Sequence, residues 1–176
     1  KYPNSWNTYG ILCENLGVCQ SYAYAYNAIA YEAGLDSMMV SGYINNGGHA
    51  WNATKLNGKY YYIDATNNNK SGKGVPYMFV NIGRTLANQL ALVEDEGFVD
   101  GPLTESNNPI TKDSDLDWYV KNGYYAKSAN EMGRIIATKL KEDEILFIRY
   151  DTSAINVSSE ASVNSIVEGF DAAGGD

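Results

Sequence analysis

GGHAWNATKLNGKYYYIDAT, residues 47–66, holds two strand-forming runs on either side of Asn57-Gly58. Asn-Gly between such runs is the strongest short hairpin signal, because both residues tolerate the positive φ of a type I′ turn. The runs are HAWNATKL (49–56) and KYYYIDAT (59–66). A two-residue turn pairs Leu56 with Lys59 and carries the register on to Trp51 opposite Asp64. His49, two residues from Trp51, then shares a face with Asp64. The two become diagonal neighbours, roughly 7–8 Å apart along the backbone and within side-chain reach. A four-residue loop keeps this register; a three-residue bulged loop breaks it.

His49 is the single histidine of the chain, so any Cys–His or Ser–His mechanism must use it. One of two cysteines, Cys19, stands upstream in ENLGVCQSYAYAYNAIAYEAG (14–34). Residues 18–33 suit a helix. Tyr22, Tyr26, Ile29, Ala30 and Ala33 fall near a 3.6 period, and Gly34 is a natural stop. Cys19 would open that helix. A thiol is a weak nucleophile until ionised, and a helix N-terminus or a nearby imidazolium favours thiolate. A carboxylate on the other ring nitrogen orients the imidazole. Cys19, His49 and Asp64 supply one residue for each role, and the Cys19 N–H would help hold an oxyanion.

GVCQSYAYAYNAIAYEAGL, VSGYI and GGHAWNATKLNGKYYYIDAT, in that order and spacing, resemble the transglutaminase-like superfamily in its bacterial form. The resemblance covers roughly residues 5–82, and NTYG (7–10) fits the segment before the cysteine motif. It implies a papain-like α+β core, an N-terminal nucleophile helix packed on an antiparallel sheet. It also implies Cys19 as nucleophile, His49 as base and Asp64 as orienting acid. The superfamily includes transglutaminases, cysteine peptidases, amidases and members without activity. Many bacterial relatives carry Trp after Asp-Ala-Thr; this chain has Asn67. Gln20, Tyr9, Trp6 and Trp51 are the candidates for oxyanion or cleft positions.

Outside these motifs the pattern is coarser. DSMMVSGYI (36–44) reads as a strand, NNGG (45–48) and NNNKSGKGVP (67–76) as loops, and YMFVNI (77–82) as a strand. Three regions are expected: a catalytic core over 1–93, an acidic polar connector over 94–111, and a small β-α-β-α unit over 112–176. In the last, DWYVKNGYYAKS and EILFIRYD read as strands, and ANEMGRIIATKLKED and SEASVNSIVEGF as helices. Met132, Ile135, Ile136 and Leu140 make one apolar stripe on the first of those helices.

The chain's 176 residues carry a net charge of −8, which disfavours nucleic acid and anionic membrane surfaces. No apolar run approaches a membrane span. Two cysteines are too few for a disulfide framework, and Cys13 reads as a packing residue. Asp113, Asp115 and Asp117 alternate as in a calcium loop, but Trp118 and Tyr124 stand where Gly and Glu are required. No metal or cofactor is expected. Fifteen tyrosines and few lysines suggest an exported or cell-surface bacterial protein, and the opening KYPNSWNTYG reads like the interior of a longer chain. The functional expectation is a cysteine acyl-transfer enzyme acting on peptide or protein amides, hydrolytic because no dedicated amine site is evident. The alternatives are a transglutaminase joining glutamine to an amine, and a non-catalytic binding module of a larger surface protein.

Overall fold

Asn7 starts the first helix, α1 (Thr8–Cys13), by accepting the Gly10 N–H at 3.0 Å. The computed structural model describes residues 2–68, 75–95, 110–142 and 145–175. They form two compact units, Lys1–Trp118 and Tyr119–Asp176.

In the first unit α2 (Cys19–Glu32) follows α1 and ends in a Schellman turn at Gly34, whose φ is +74°. Its buried face is made of small residues, Ser21, Ala23, Ala25 and Ala30. The expected stripe is therefore displaced: Ile29 is 60% exposed, and Ala33 is exposed beyond the helix end. Polar anchoring explains the rotation. Asn52 Nδ2 donates to Ala23 O at 3.0 Å and to Asn27 Oδ1 at 2.7 Å. Side chains larger than alanine on that face would hold the helix off these bonds.

Strands β1 (Ser37–Ile44), β2 (Gly47–Leu56) and β3 (Lys59–Ile63) form an antiparallel meander. The β2–β3 register runs from Leu56↔Lys59 to Asn52↔Ile63, as the Asn57-Gly58 turn requires. The expected loop at 45–48 is a second tight turn. Asn45 and Asn46 take φ of +49° and +66°, and Gly47 and Gly48 already pair in β2. The expected strand 59–66 stops at Ile63, because residues 65–68 turn into the short helix α3 (Ala65–Asn68). The expected strand 77–82 keeps only β4 (Val80–Ile82). A turn at residues 76–79, positive φ at Tyr77 and Asn81, and a register shift opposite Tyr62 and Ile63 limit its pairing.

Helix α4 (Arg84–Gln89) and strand β5 (Leu92–Glu94) complete the sheet, ordered β4-β3-β2-β1-β5 among the described residues. Of the expected connector, residues 96–109 lie outside the described residues. Ile110 bridges Tyr60 and is buried beside Trp51, Tyr62, Phe79, Ile82 and Leu92 in the core. Tyr61 donates its hydroxyl to Asp115 at 2.7 Å.

The three consecutive tyrosines of β3 have a measurable consequence. Burial, with Asp36 beside it, pushes the Tyr60 phenol up to about 12; burial, with Asp115, does the same for Tyr61. Burial and Glu94 raise Tyr62 further, while Arg84, paired to Glu94 at 2.8 Å, works against that rise. Unfolded phenols ionise near pH 10. The neutral phenols therefore favour the fold below about pH 10, and that contribution is lost as pH rises through about 12. In a 295 nm absorbance titration these phenols should ionise together with loss of the far-ultraviolet circular dichroism. Full tyrosine ionisation near pH 10 with the dichroism intact would contradict this.

The second unit takes up α5 (Trp118–Lys121) from its second residue, Tyr119, and continues with β6 (Tyr125–Ala126), α6 (Ala129–Lys139), β7 (Arg149–Tyr150) and α7 (Glu160–Ala172). β6 and β7 pair in parallel with α6 as the crossover. The expected first strand is mostly a helical turn, closed as a Schellman motif at Gly123, so that only Tyr125–Ala126 remain extended. Ser128 caps α6 through Glu131 N–H, and Ser159 caps α7 through Ser162 N–H. Met132 is buried and Ile135 and Ile136 pack beside it, but Leu140, expected in the same stripe, is exposed where α6 ends. The two helices touch backbone to backbone. A Cβ on Gly133 would meet Ile166 O at 1.9 Å, and one on Gly169 would meet Asn130 O at 2.0 Å.

Candidate active site

β2 and the turn after β3 bring His49 and Asp64 together. His49 Nε2 donates to Asp64 Oδ2 at 2.7 Å, with side-chain exposures of 6% and 0%. The imidazole stacks on Trp51, with centroids 6.0 Å apart and planes 21° apart. Asp64 leaves the sheet and caps α3, accepting the Asn67 N–H on Oδ1 at 3.1 Å. Its own N–H donates to Phe79 O at 3.1 Å, which fixes its backbone. Asn67 Nδ2 also donates to Oδ2, at 2.6 Å. An ionised carboxylate is acceptor-only, so the ring nitrogen facing it carries the proton. In the neutral ring Nδ1 is then the basic nitrogen. Nδ1 makes no hydrogen bond among the described residues.

Cys19 is the first residue of α2, half-buried, with a free thiol. The N-cap residue is Val18, whose side chain offers no oxygen to the first N–H groups of the helix. Among the described residues the thiol makes no hydrogen bond to His49 or Asp64. Chain direction puts it at their end of the unit. The C-terminus of α2 feeds β1 at Ser37, which pairs with Thr54. Helix and β2 therefore run the same way, joined midway by Asn27 and Asn52. Cys19 lies eight residues back from Asn27, about 12 Å, and His49 three back from Asn52, about 10 Å. Helix α3 packs against both α2 and β2, spanning the gap beside Asp64.

Residues 1–65 match the family model of the transglutaminase-like superfamily. This part of the chain belongs to that superfamily. The match ends one residue past Asp64 and includes Cys19 and His49. Members of the superfamily in general carry out cysteine-based acyl transfer, and some are inactive. Among solved structures, a TGase crystal structure aligns with a TM-score of 0.37 and 16% identity, over 85% of this chain and 38% of that one. The chain thus spans well under half the length of that protein. No curated protein matches the chain in sequence.

Of the other candidates, Trp51 meets the His49–Asp64 pair by stacking on the imidazole. Trp6 and Tyr9 are exposed, at 58% and 59%. Gln20 is half-buried at the second position of α2. Trp51 is a core residue, packed edge-on to Tyr62 at 5.8 Å, and its buried Nε1 has no hydrogen-bond partner among the described residues. Sequence reasoning marked Asn67 only as a departure from the usual Trp. The missed signal was Asp at a strand end followed three residues on by a polar residue, which reads as a helix N-cap. Among the described residues no cluster of three or more His, Cys, Asp or Glu could hold a metal ion, and no helix is long and apolar enough to cross a membrane.

Proposed function

We propose that the N-terminal unit is a papain-like cysteine acyl-transfer enzyme acting on amide bonds of peptides or proteins. The observation that carries this reading is the His49 Nε2–Asp64 Oδ2 bond at 2.7 Å, which leaves Nδ1 basic and, among the described residues, without a hydrogen bond. Cys19 Sγ attacks the amide carbonyl carbon, and His49 Nδ1 takes the thiol proton. The tetrahedral oxyanion is met by the free N–H groups at the start of α2. The C–N bond breaks, the proton passes from Nδ1 to the leaving amine, and a thioester remains on Cys19. Water adds to the thioester, giving its proton to Nδ1. Collapse returns carboxylic acid and thiol. Asp64 holds the ring and offsets the imidazolium charge throughout.

Water resolves the thioester unless a site holds an amine against it, so hydrolysis is the favoured outcome. Mass spectrometry of a glutamine-containing peptide incubated with a primary amine separates the two fates. Cleaved or deamidated peptide marks hydrolysis; an amine adduct marks transamidation.

Iodoacetamide alkylation tests the nucleophile, with Cys13 as internal control. At about pH 6.5 Cys19 should react about tenfold faster than Cys13, and His49→Ala should remove that difference. Equal rates for the two thiols in the wild type would overturn the catalytic reading.

A further inference from the structure

Asn67 grips both oxygens of the carboxylate that His49 uses. Its backbone N–H reaches Oδ1 at 3.1 Å, and its Nδ2 reaches Oδ2 at 2.6 Å. His49 Nε2 reaches the same Oδ2 at 2.7 Å. Nδ2 and Nε2 approach to 3.2 Å. Both carry hydrogens directed at Oδ2, so that approach is a shared acceptor rather than a bond between them. The amide orientation is dictated. Turned over, it would set its oxygen against Oδ2 at a distance only a donor can occupy. Asp64 is fully buried, so water is not at hand to replace a lost donor.

We propose that Asn67 is a positioning residue: it locks the Asp64 carboxylate in plane and thereby fixes the proton of His49 on Nε2. The inference rests on the roles given above to Cys19, His49 and Asp64. With one residue holding both oxygens, the carboxylate cannot rotate about its Cβ–Cγ bond without losing two donors together. Oδ2 is thus presented to the ring at a fixed angle, and Nδ1 stays the basic nitrogen. Capping of α3 alone does not require the side-chain amide, since the backbone N–H supplies that bond.

The test uses two near-isosteric variants, Asn67→Leu and Asn67→Asp, both of which keep the backbone N–H. Leu removes the second donor, and Asp replaces it with a like charge. Because the chain has one histidine, the ring N–H proton and both ring nitrogens of His49 can be read by NMR without assignment. The wild type should show a protected Nε2–H proton. Asn67→Leu should lose that protection and lower the Cys19 alkylation rate at about pH 6.5 by about threefold. Asn67→Asp should lower it further, with Cys13 unchanged in both. A protected Nε2–H and a wild-type rate in Asn67→Leu would overturn the inference. Should wild-type Cys19 react no faster than Cys13, the catalytic reading fails. The imidazole proton still decides the inference in that case: its loss in Asn67→Leu supports the positioning role, and its persistence refutes it.

Discussion

Asp64→Asn is expected to lower acylation of Cys19 by about 10³–10⁴-fold with the fold intact, the scale of wrong-tautomer losses in acyl-transfer triads. The reason lies in who donates to whom. Asn67 N and Nδ2 both donate toward residue 64. In the variant the carboxamide oxygen takes the Oδ1 position to keep the Asn67 N–H, its NH₂ takes the Oδ2 position facing His49, and the Asn67 side-chain amide turns over to accept from that NH₂. Nε2 must then accept, so the ring proton moves to Nδ1, and the base has its proton on the nitrogen that should receive one. Turnover of whichever peptide amide the wild type cleaves is the kinetic measurement. NMR of the ring nitrogens gives the same answer without substrate: Nε2–H in the wild type, Nδ1–H in the variant. Turnover within tenfold of wild type would mean that Asp64 does not orient the ring.

Trp51→Ala is expected to destabilise the N-terminal unit by about 3–5 kcal/mol, a large part of the usual stability of a domain. Trp51 is 1% exposed and fills the space between Tyr62 and the His49 ring. Gly42 is bare to admit it, since a Cβ there would come within 2.6 Å of the indole. Trp51→Phe should cost far less, about 1–2 kcal/mol, because an aromatic ring is kept and the buried Nε1–H has no hydrogen-bond partner to lose among the described residues. Urea unfolding of both variants, followed by the remaining fluorescence, supplies the comparison. A cost below about 1 kcal/mol for Trp51→Ala would show that the core closes over the gap.

The hairpin was legible because its determinants are local. Asn57-Gly58 sets the turn, the turn sets the register, and the register places His49 near Asp64. The limits of β3 and β4 were not legible. Asp64 exchanges a strand position for a helix cap only because Phe79 O receives its N–H and Asn67 its side chain. The buried face of α2 was misread because Asn52, distant in sequence, chooses it through Ala23 O and Asn27. The close crossing of α6 and α7 shows in sequence only as two unremarked glycines, Gly133 and Gly169. For the candidate site, Cys19, His49 and Asp64 could be named from residue type and spacing. The second grip on Asp64 could not, because a lone Asn after Ala-Thr carries no pattern of its own.

The return of Ile110 to the side of Tyr60 bears on the order in which the molecule assembles. His49 and Asp64 are 15 residues apart and meet through one tight turn, the kind of closure that takes microseconds. The β1–β5 pairing and the Tyr60–Ile110 bridge close much longer stretches of chain, so they carry the contact order of the unit and set its folding rate. The acid–base pair therefore belongs to the early, local part of the fold, whereas the burial that makes its hydrogen bonds strong arrives late. In native-state hydrogen exchange the amides of Thr111 and Asp95, which bond to Tyr60 O and Ser41 O, should open before those of the β2–β3 ladder. The imidazole–carboxylate bond would then outlast, on partial unfolding, the dry environment in which it works.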